Sequence, residues 1–329
     1  MIFALLFAVA LVASYIVMPK LVGLGVRAQL MDEPGERKQH AHAIPRLGGV
    51  GVSLALTLAL GVVLVIRAQG LLGPSADPSP LLPIIAGGVL VFAVGLWDDV
   101  SSVPPLRKLL VEVIAAVLVA GSGIVMTRVT ILGNTHELGL LALPVTALWI
   151  VALTNAFNLI DGLDGLAGGL VVIASTTCAI ILINRGEGAA AMMLVALTGA
   201  MLGFLAFNFH PARIFLGDSG SLLAGFLLAT TAVIGRQKGA TTLASAVPLL
   251  IFALPLADIA WSVVRRLVRG GDTPVRSPAR LLARMFTPDR GHIHHRLLAL
   301  GLSQRAAVAV LYSIALVCSL IALYFAERT

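Results

Sequence analysis

Thr154-Asn155-Ala156-Phe157-Asn158-Leu159-Ile160-Asp161-Gly162-Leu163-Asp164-Gly165 sets two amides, two carboxylates and two turn glycines between apolar segments long enough to be membrane helices. A carboxylate at a membrane boundary loses hydration unless a metal, a cation or a polar substrate compensates, so this stretch reads as a site rather than a surface. Working outward, further polar groups end other apolar runs: Asp98-Asp99, then Asp218 in Phe215-Leu216-Gly217-Asp218-Ser219-Gly220-Ser221, then His292-Ile293-His294-His295-Arg296.

The composition agrees. Of 329 residues 58% are hydrophobic and only 12% charged, with a mean hydropathy of +0.99. A soluble domain carries about twice that charge. Crossing roughly 30 Å of hydrocarbon takes about 20 apolar residues as helix. Such runs fall near 2–18, 47–66, 81–97, 107–125, 138–154, 166–184, 189–207, 219–235, 243–264 and 306–326. The expectation is an all-α polytopic bundle of about ten transmembrane helices, one domain over 1–329, with a long loop at about 265–305. Pro144 blurs the start of the fifth run. The first run has no basic leader or small-residue cleavage site and is read as a mature helix.

Ten spans divide the loops into two sets. One set holds 17 of the 23 Lys and Arg residues and the other, with the tail, holds 6. Basic loops stay cytoplasmic, so both termini are expected outside and the richer set inside. The net charge of +7 then reflects orientation, with attraction to anionic headgroups or a polyphosphate substrate, and not nucleic-acid binding. Asp98, Asp99, Asn155, Asn158, Asp161, Asp164, His210, Asp218, His292, His294 and His295 all fall on the cytoplasmic side. That favours an enzyme at the inner face over an anion or lipid-phosphate transporter, whose site lies near the midplane. Cys178 and Cys318 lie in spans without metal-ligand spacing and read as core thiols.

Each motif has a plain alternative. Asp98-Asp99 either recruits a divalent cation or caps a helix end; Lys108 is a snorkelling anchor or, facing a metal site, a phosphate ligand. Asp218 between glycines either faces a phosphate at a helix N-terminus or caps that helix. Acidic clusters converging from separate loops favour a hard-cation site, Mg²⁺ or Mn²⁺. The histidines among Arg265, Arg266, Arg269, Arg276, Arg280, Arg284 and Arg290 lack a Cys or a third spaced ligand for zinc and suit a pyrophosphate; the alternative is a loop that sets topology. The first loop, including Arg37, Lys38, His40 and Arg46, either anchors headgroups or binds a lipid phosphate. Glu112 and Asp258, acids inside apolar runs, either serve the function or face a polar neighbour within the bundle; Glu112 is left out of the site and Asp258 ranks low.

Taken in order, Arg37-Lys38-x-His40 with Ile44-Pro45-Arg46-Leu47-Gly48-Gly49, Asp98-Asp99, Asn155-x-x-Asn158-x-x-Asp161-Gly-Leu-Asp164-Gly, Gly217-Asp218-x-Gly220-Ser221 and Asp289-Arg290-Gly291-His292-Ile293-His294-His295-Arg296-Leu297 resemble the polyprenyl-phosphate N-acetylhexosamine-1-phosphate transferases, of the glycosyltransferase 4 type. The first and last motifs resemble the branch that uses UDP-N-acetylglucosamine more than the branch that makes lipid I from UDP-N-acetylmuramoyl-pentapeptide. The segment from Gly271 to Pro288 is longer than usual for the branch. The resemblance implies attack of a lipid phosphate on the sugar-bonded phosphate of a UDP-amino sugar, releasing UMP, in the inner membrane of a bacterium as the first membrane step of an envelope glycan. It implies that Asp218 ligates Mg²⁺, that Asp98 and Asp99 orient the metal or deprotonate the lipid phosphate, and that Lys108 holds the diphosphate. Asn158 and Asp161 would bind uridine with Asn155 and Asp164 in support, and Arg46, His292, His294, His295 and Arg296 would contact phosphates or sugar. A homodimer is left open.

Overall fold

The computed structural model describes residues 1–32, 43–70, 79–131, 134–237, 242–268 and 292–327. Arg37, Lys38, His40, Arg269, the segment 271–288 and Asp289-Arg290-Gly291 lie outside the described residues.

The helices are α1 (Ile2–Arg27), α2 (Gly48–Ala68), α3 (Leu82–Val100), α4 (Pro105–Gly121), α5 (Ala142–Ile160), α6 (Leu166–Asn184), α7 (Gly188–Asn208), α8 (Gly217–Gln237), α9 (Thr242–Ile251), α10 (Ala253–Val268), α11 (Ile293–Ala299) and α12 (Gln304–Ala326). Apolar runs of this length have no water to satisfy their backbone, so each closes its own hydrogen bonds as helix. Burial ranks them. In the most apolar window of α8 89% of residues are buried, against 83% for α7, 72% for α6 and 22% for α1. The α6–α8 layer is therefore the centre and α1 the periphery, which suits α6 and α7 being apolar all round.

Small residues set the packing distances. A Cβ at Gly199 of α7 would stand 2.4 Å from the Phe7 carbonyl oxygen of α1, and one at Gly203 2.5 Å from that of Leu11. Backbones approach this closely only over glycine.

Eight helices are long and apolar enough to cross a membrane among the described residues. The ten-run expectation exceeds them at two places. Helix α4 has 17 residues and carries Lys108 and Glu112. The ninth run is divided into α9 and α10 at Phe252. Pro255 has no N–H for the Ile251 carbonyl and its ring crowds that oxygen, which favours a break between the two helices.

The all-α expectation also omits two short antiparallel pairs, β1 (Met31–Asp32) with β2 (Ile44–Pro45) and β3 (Arg128–Ile131) with β4 (Asn134–Glu137). In the second pair the exposed Arg128 and Glu137 meet across the strands at 3.0 Å.

Candidate active site

The C-terminal ends of α3, α5 and α7 and the N-terminal ends of α2, α4, α6, α8 and α12 meet at one end of the bundle, around a cavity of about 350 Å³. Asp99, Asn158, Asp161, Asp164, Asp218, Arg46 and His295 line it, with Asp32 and Asn208.

Its floor is the start of α8. Gly217 has φ +73°, and a Cβ there would fall 2.6 Å from an Asp99 carboxylate oxygen. Asp99 Oδ1 accepts from Asp218 N at 2.8 Å, and Oδ2 accepts from Ser219 N at 3.0 Å and Ser219 Oγ at 2.6 Å. Asp99 on α3 therefore caps α8 from another helix. The capping alternative for Asp218 gives way to this arrangement, and the Asp218 side chain is left facing the cavity. Its Oδ2 meets Lys108 Nζ at 2.7 Å, and the same ammonium lies 3.2 Å from Asp98 Oδ2. The other oxygen of Asp98 accepts from Val103 N at 2.8 Å, which ties down the α3–α4 turn. Asn158 Nδ2 lies 3.5 Å from Asp218 Oδ2, and its Oδ1 accepts from Ser221 Oγ at 2.8 Å.

The Ile-Pro-Arg-Leu-Gly-Gly segment explains itself here. Gly48 N and Gly49 N donate to the carbonyls of Phe215 and Leu216 at 2.9 and 2.7 Å, while Phe215 N donates to Pro45 O at 2.8 Å. Two helix starts are thus laced together. A Cβ at Gly49 would lie 2.2 Å from Gly220 N. Arg46 projects beside the cavity and pairs with Asp32.

The turn between α5 and α6 is fastened to the α7–α8 loop. Gly165, at φ +81°, donates its N–H to Asn208 Oδ1 at 2.9 Å, and Asn208 Nδ2 donates to Ile214 O at 2.9 Å. Asp164 Oδ2 meets His210 Nδ1 at 2.7 Å and Ala212 N at 3.1 Å. Asp161 faces the cavity with its carboxyl pushed up to about 8, chiefly by burial and then by the charges of Asp218, Asp99 and Asp164. This is an anionic pocket that favours a cation or protons.

Besides Asp98 and Lys108, which reach the cavity only through Asp218, four expected site residues stand apart from the cavity lining. Asn155 is turned to Glu112 and to the Val151 carbonyl, the latter at 2.9 Å. Arg296 places its guanidinium 5.8 Å from the Trp261 ring centroid. His292 is buried against Asp258, while His294 packs against Gly162, where a Cβ would lie 2.4 Å from its Nε2. Burial, then the neighbouring His295, lowers His294 to about 4, so it is neutral near pH 7. Sequence reasoning passed over Asp32, Asn208, Ser219 and Ser221. Asn208 carried a signal, since it ends an apolar run as Asn155 and Asn158 do. Ser221 stands in the Gly217-Asp218-x-Gly220-Ser221 motif without a role of its own, and Ser219 carried no signal, being an ordinary residue for a helix start.

Among the described residues no three acidic or imidazole side chains form a ready-made coordination shell. The oxygen donors at the cavity nonetheless suit a hard cation that completes its shell from water and phosphate. Asp218 and Asp161 fit best, because both line the cavity, whereas both oxygens of Asp99 are engaged by α8 and Asp98, outside the lining, is tied to the Val103 backbone.

The family model for glycosyl transferase family 4 matches residues 81–236, which run from α3 to α8 and carry Asp98, Asp99, Lys108, Asp161, Asp164 and Asp218. A protein of Bacillus subtilis (strain 168), described as a probable undecaprenyl-phosphate N-acetylglucosaminyl 1-phosphate transferase, is 34% identical over 325 residues, 98% of this chain and 85% of that one. The chain belongs to glycosyl transferase family 4. Two further relatives carry related descriptions. The decaprenyl-phosphate N-acetylglucosaminephosphotransferase of Mycolicibacterium smegmatis is 33% identical, over 88% of this chain and 73% of its own. The undecaprenyl-phosphate alpha-N-acetylglucosaminyl 1-phosphate transferase of Escherichia coli (strain K12) is 28% identical, over 86% and 72%. The resemblance read from the motifs is thus borne out at the level of the family.

Proposed function

We propose that this protein transfers N-acetylglucosamine-1-phosphate from UDP-N-acetylglucosamine to a polyprenyl phosphate, giving a sugar-diphosphate-lipid and UMP. The observation that carries the reading is the similarity, over 86% to 98% of this chain, to three relatives described with this transfer. The cavity supports it, since a lysine and several carboxylates meet at a membrane-end pocket where a lipid phosphate and a nucleotide can both arrive.

An oxygen of the lipid phosphate attacks the phosphorus bonded to the sugar, and the bond from that phosphorus to the bridging oxygen breaks. UMP leaves with the bridging oxygen. A divalent cation bound there would neutralise charge on the diphosphate, as Mg²⁺ does in other phosphoryl transfers. Asp218 and Asp161 are the residues we assign to hold it. Asp99 fixes the start of α8 so that Asp218 faces the cavity. Lys108, now shared by Asp98 and Asp218, holds a diphosphate oxygen when substrate enters. Asn158 and Asp164 serve the nucleotide side with Arg46 and His295 on the facing walls. A lipid phosphate dianion needs no general base, so Asp98 is given the role of holding Lys108.

We infer from the 17 to 6 division of basic residues that this end of the bundle faces the cytosol, and the bacterial relatives support a bacterial plasma membrane. The test is UMP release by purified protein given polyprenyl phosphate and a panel of UDP-sugars. UDP-N-acetylglucosamine should give the highest kcat/KM. A higher value for UDP-N-acetylmuramoyl-pentapeptide overturns the donor assignment, and no UMP from any donor overturns the transferase reading.

A further inference from the structure

Asp258 of α10 is only 4% exposed, and neither of its oxygens is spare. Oδ2 meets His292 Nδ1 at 2.8 Å and Oδ1 accepts from Ile293 N at 2.7 Å. The helix α11 has no side-chain cap of its own, so the acid on α10 serves as its cap from outside. A carboxylate offers no proton, so His292 must carry its hydrogen on Nδ1, which sets the tautomer and ring orientation.

That ring begins a stack. His294 lies parallel to His292 with centroids 5.8 Å apart, and His295 is tilted against His294 at 4.3 Å. His294 is 1% exposed, and its Nδ1 has no hydrogen-bond partner among the described residues. Its ring presses on Gly162, the neighbour of Asp161, and His295 reaches the cavity. A buried imidazole with an unused nitrogen is held by its neighbours and not by its own hydrogen bonds. Here the hold starts at Asp258.

We propose that Asp258 is a positioning residue for the nucleotide-sugar side of the site, fixing through His292 where His294 and His295 stand on the cavity wall. This rests on the transferase reading above. Asp258→Asn keeps an oxygen for Ile293 N but turns an amide donor toward His292 Nδ1, which forces the other tautomer. In the purified full-length protein the KM for UDP-N-acetylglucosamine should rise about tenfold or more. The KM for polyprenyl phosphate should stay within about twofold, because Asp258 acts through the histidine wall, which faces the nucleotide-sugar side. Asp258→Glu retains the carboxylate and should recover part of the loss; it carries the same test if the Asn variant folds poorly. Unchanged kinetics in Asp258→Asn, or a fall in kcat with both KM values unchanged, overturns the proposal. Thermal stabilisation by UDP-N-acetylglucosamine reads binding without turnover. Wild-type protein stabilised by no UDP-sugar overturns the transferase reading and the donor role with it, whereas a variant stabilised as strongly as wild type overturns the role of Asp258 alone.

Discussion

At the residue scale Asp218 carries the most consequence, because its neighbours relieve it of a structural task. An acid at the first turn of a helix ordinarily serves as cap or dipole partner. Here Asp99 supplies the capping oxygens, and Asp218 is left to Lys108 and the cavity. Replacing Asp218 with Asn keeps its shape and removes its charge. Activity should fall on the order of 10²-fold or more, about 3 kcal/mol in the barrier, with the melting temperature nearly unchanged. EDTA should abolish turnover in the wild type. A folded Asp218→Asn protein with near-normal turnover and the same Mg²⁺ dependence would remove Asp218 from the cation site. The residues themselves were legible in the sequence, for Asp98, Asp99, Asp161, Asp164 and Asp218 all stand out in apolar surroundings. Their division of labour was not, because which carboxylate caps and which faces the pocket depends on a neighbour 119 residues away.

At the element scale the shared start of α2 and α8 decides whether the site has a floor. Gly49 allows the approach, since a Cβ there would meet Gly220 N, Ser219 Oγ and Gly220 Cα at 2.2, 2.4 and 2.6 Å. Two of these are backbone atoms and cannot rotate aside. Gly49→Ala should therefore cost about 1–3 kcal/mol by overpacking and lower kcat as well, because the displaced turn carries Asp218. Gly61→Ala, further along the same helix where nothing lies within 4 Å, is the control and should leave both melting temperature and kcat near wild type. Equal behaviour of the two variants would show that the close approach is unimportant. The existence of most helices could be read from apolar length alone. The break between α9 and α10 has a signal in Pro255, which the apolar length of the run masks, whereas Pro248 sits inside α9. The β3–β4 pair is hard to read because each strand has only four residues, and β4, Asn-Thr-His-Glu, is polar and exposed throughout with no alternation to match that of β3.

At the scale of the whole molecule every motif on the described residues comes to one end of the bundle or to the helices packed behind it. A cysteine at Ser101, exposed in the α3–α4 turn, should be labelled only from the cytosolic side, and one at exposed Asn134 only from outside. The reverse pattern would overturn the proposed orientation. The sequence by itself determined the class, the helical bundle, the one-sided placement of the polar motifs and the family, because hydropathy, charge bias and short motifs are local properties that survive without a fold. Only the tertiary structure decided that Asp99 caps α8, that Asn155 and Arg296 turn away from the cavity, and that Asp258 holds the histidines. Those outcomes depend on which helix faces which and how closely glycine lets them come. Distances between residues far apart in the chain are set by the packing of the whole bundle and are written in no single segment.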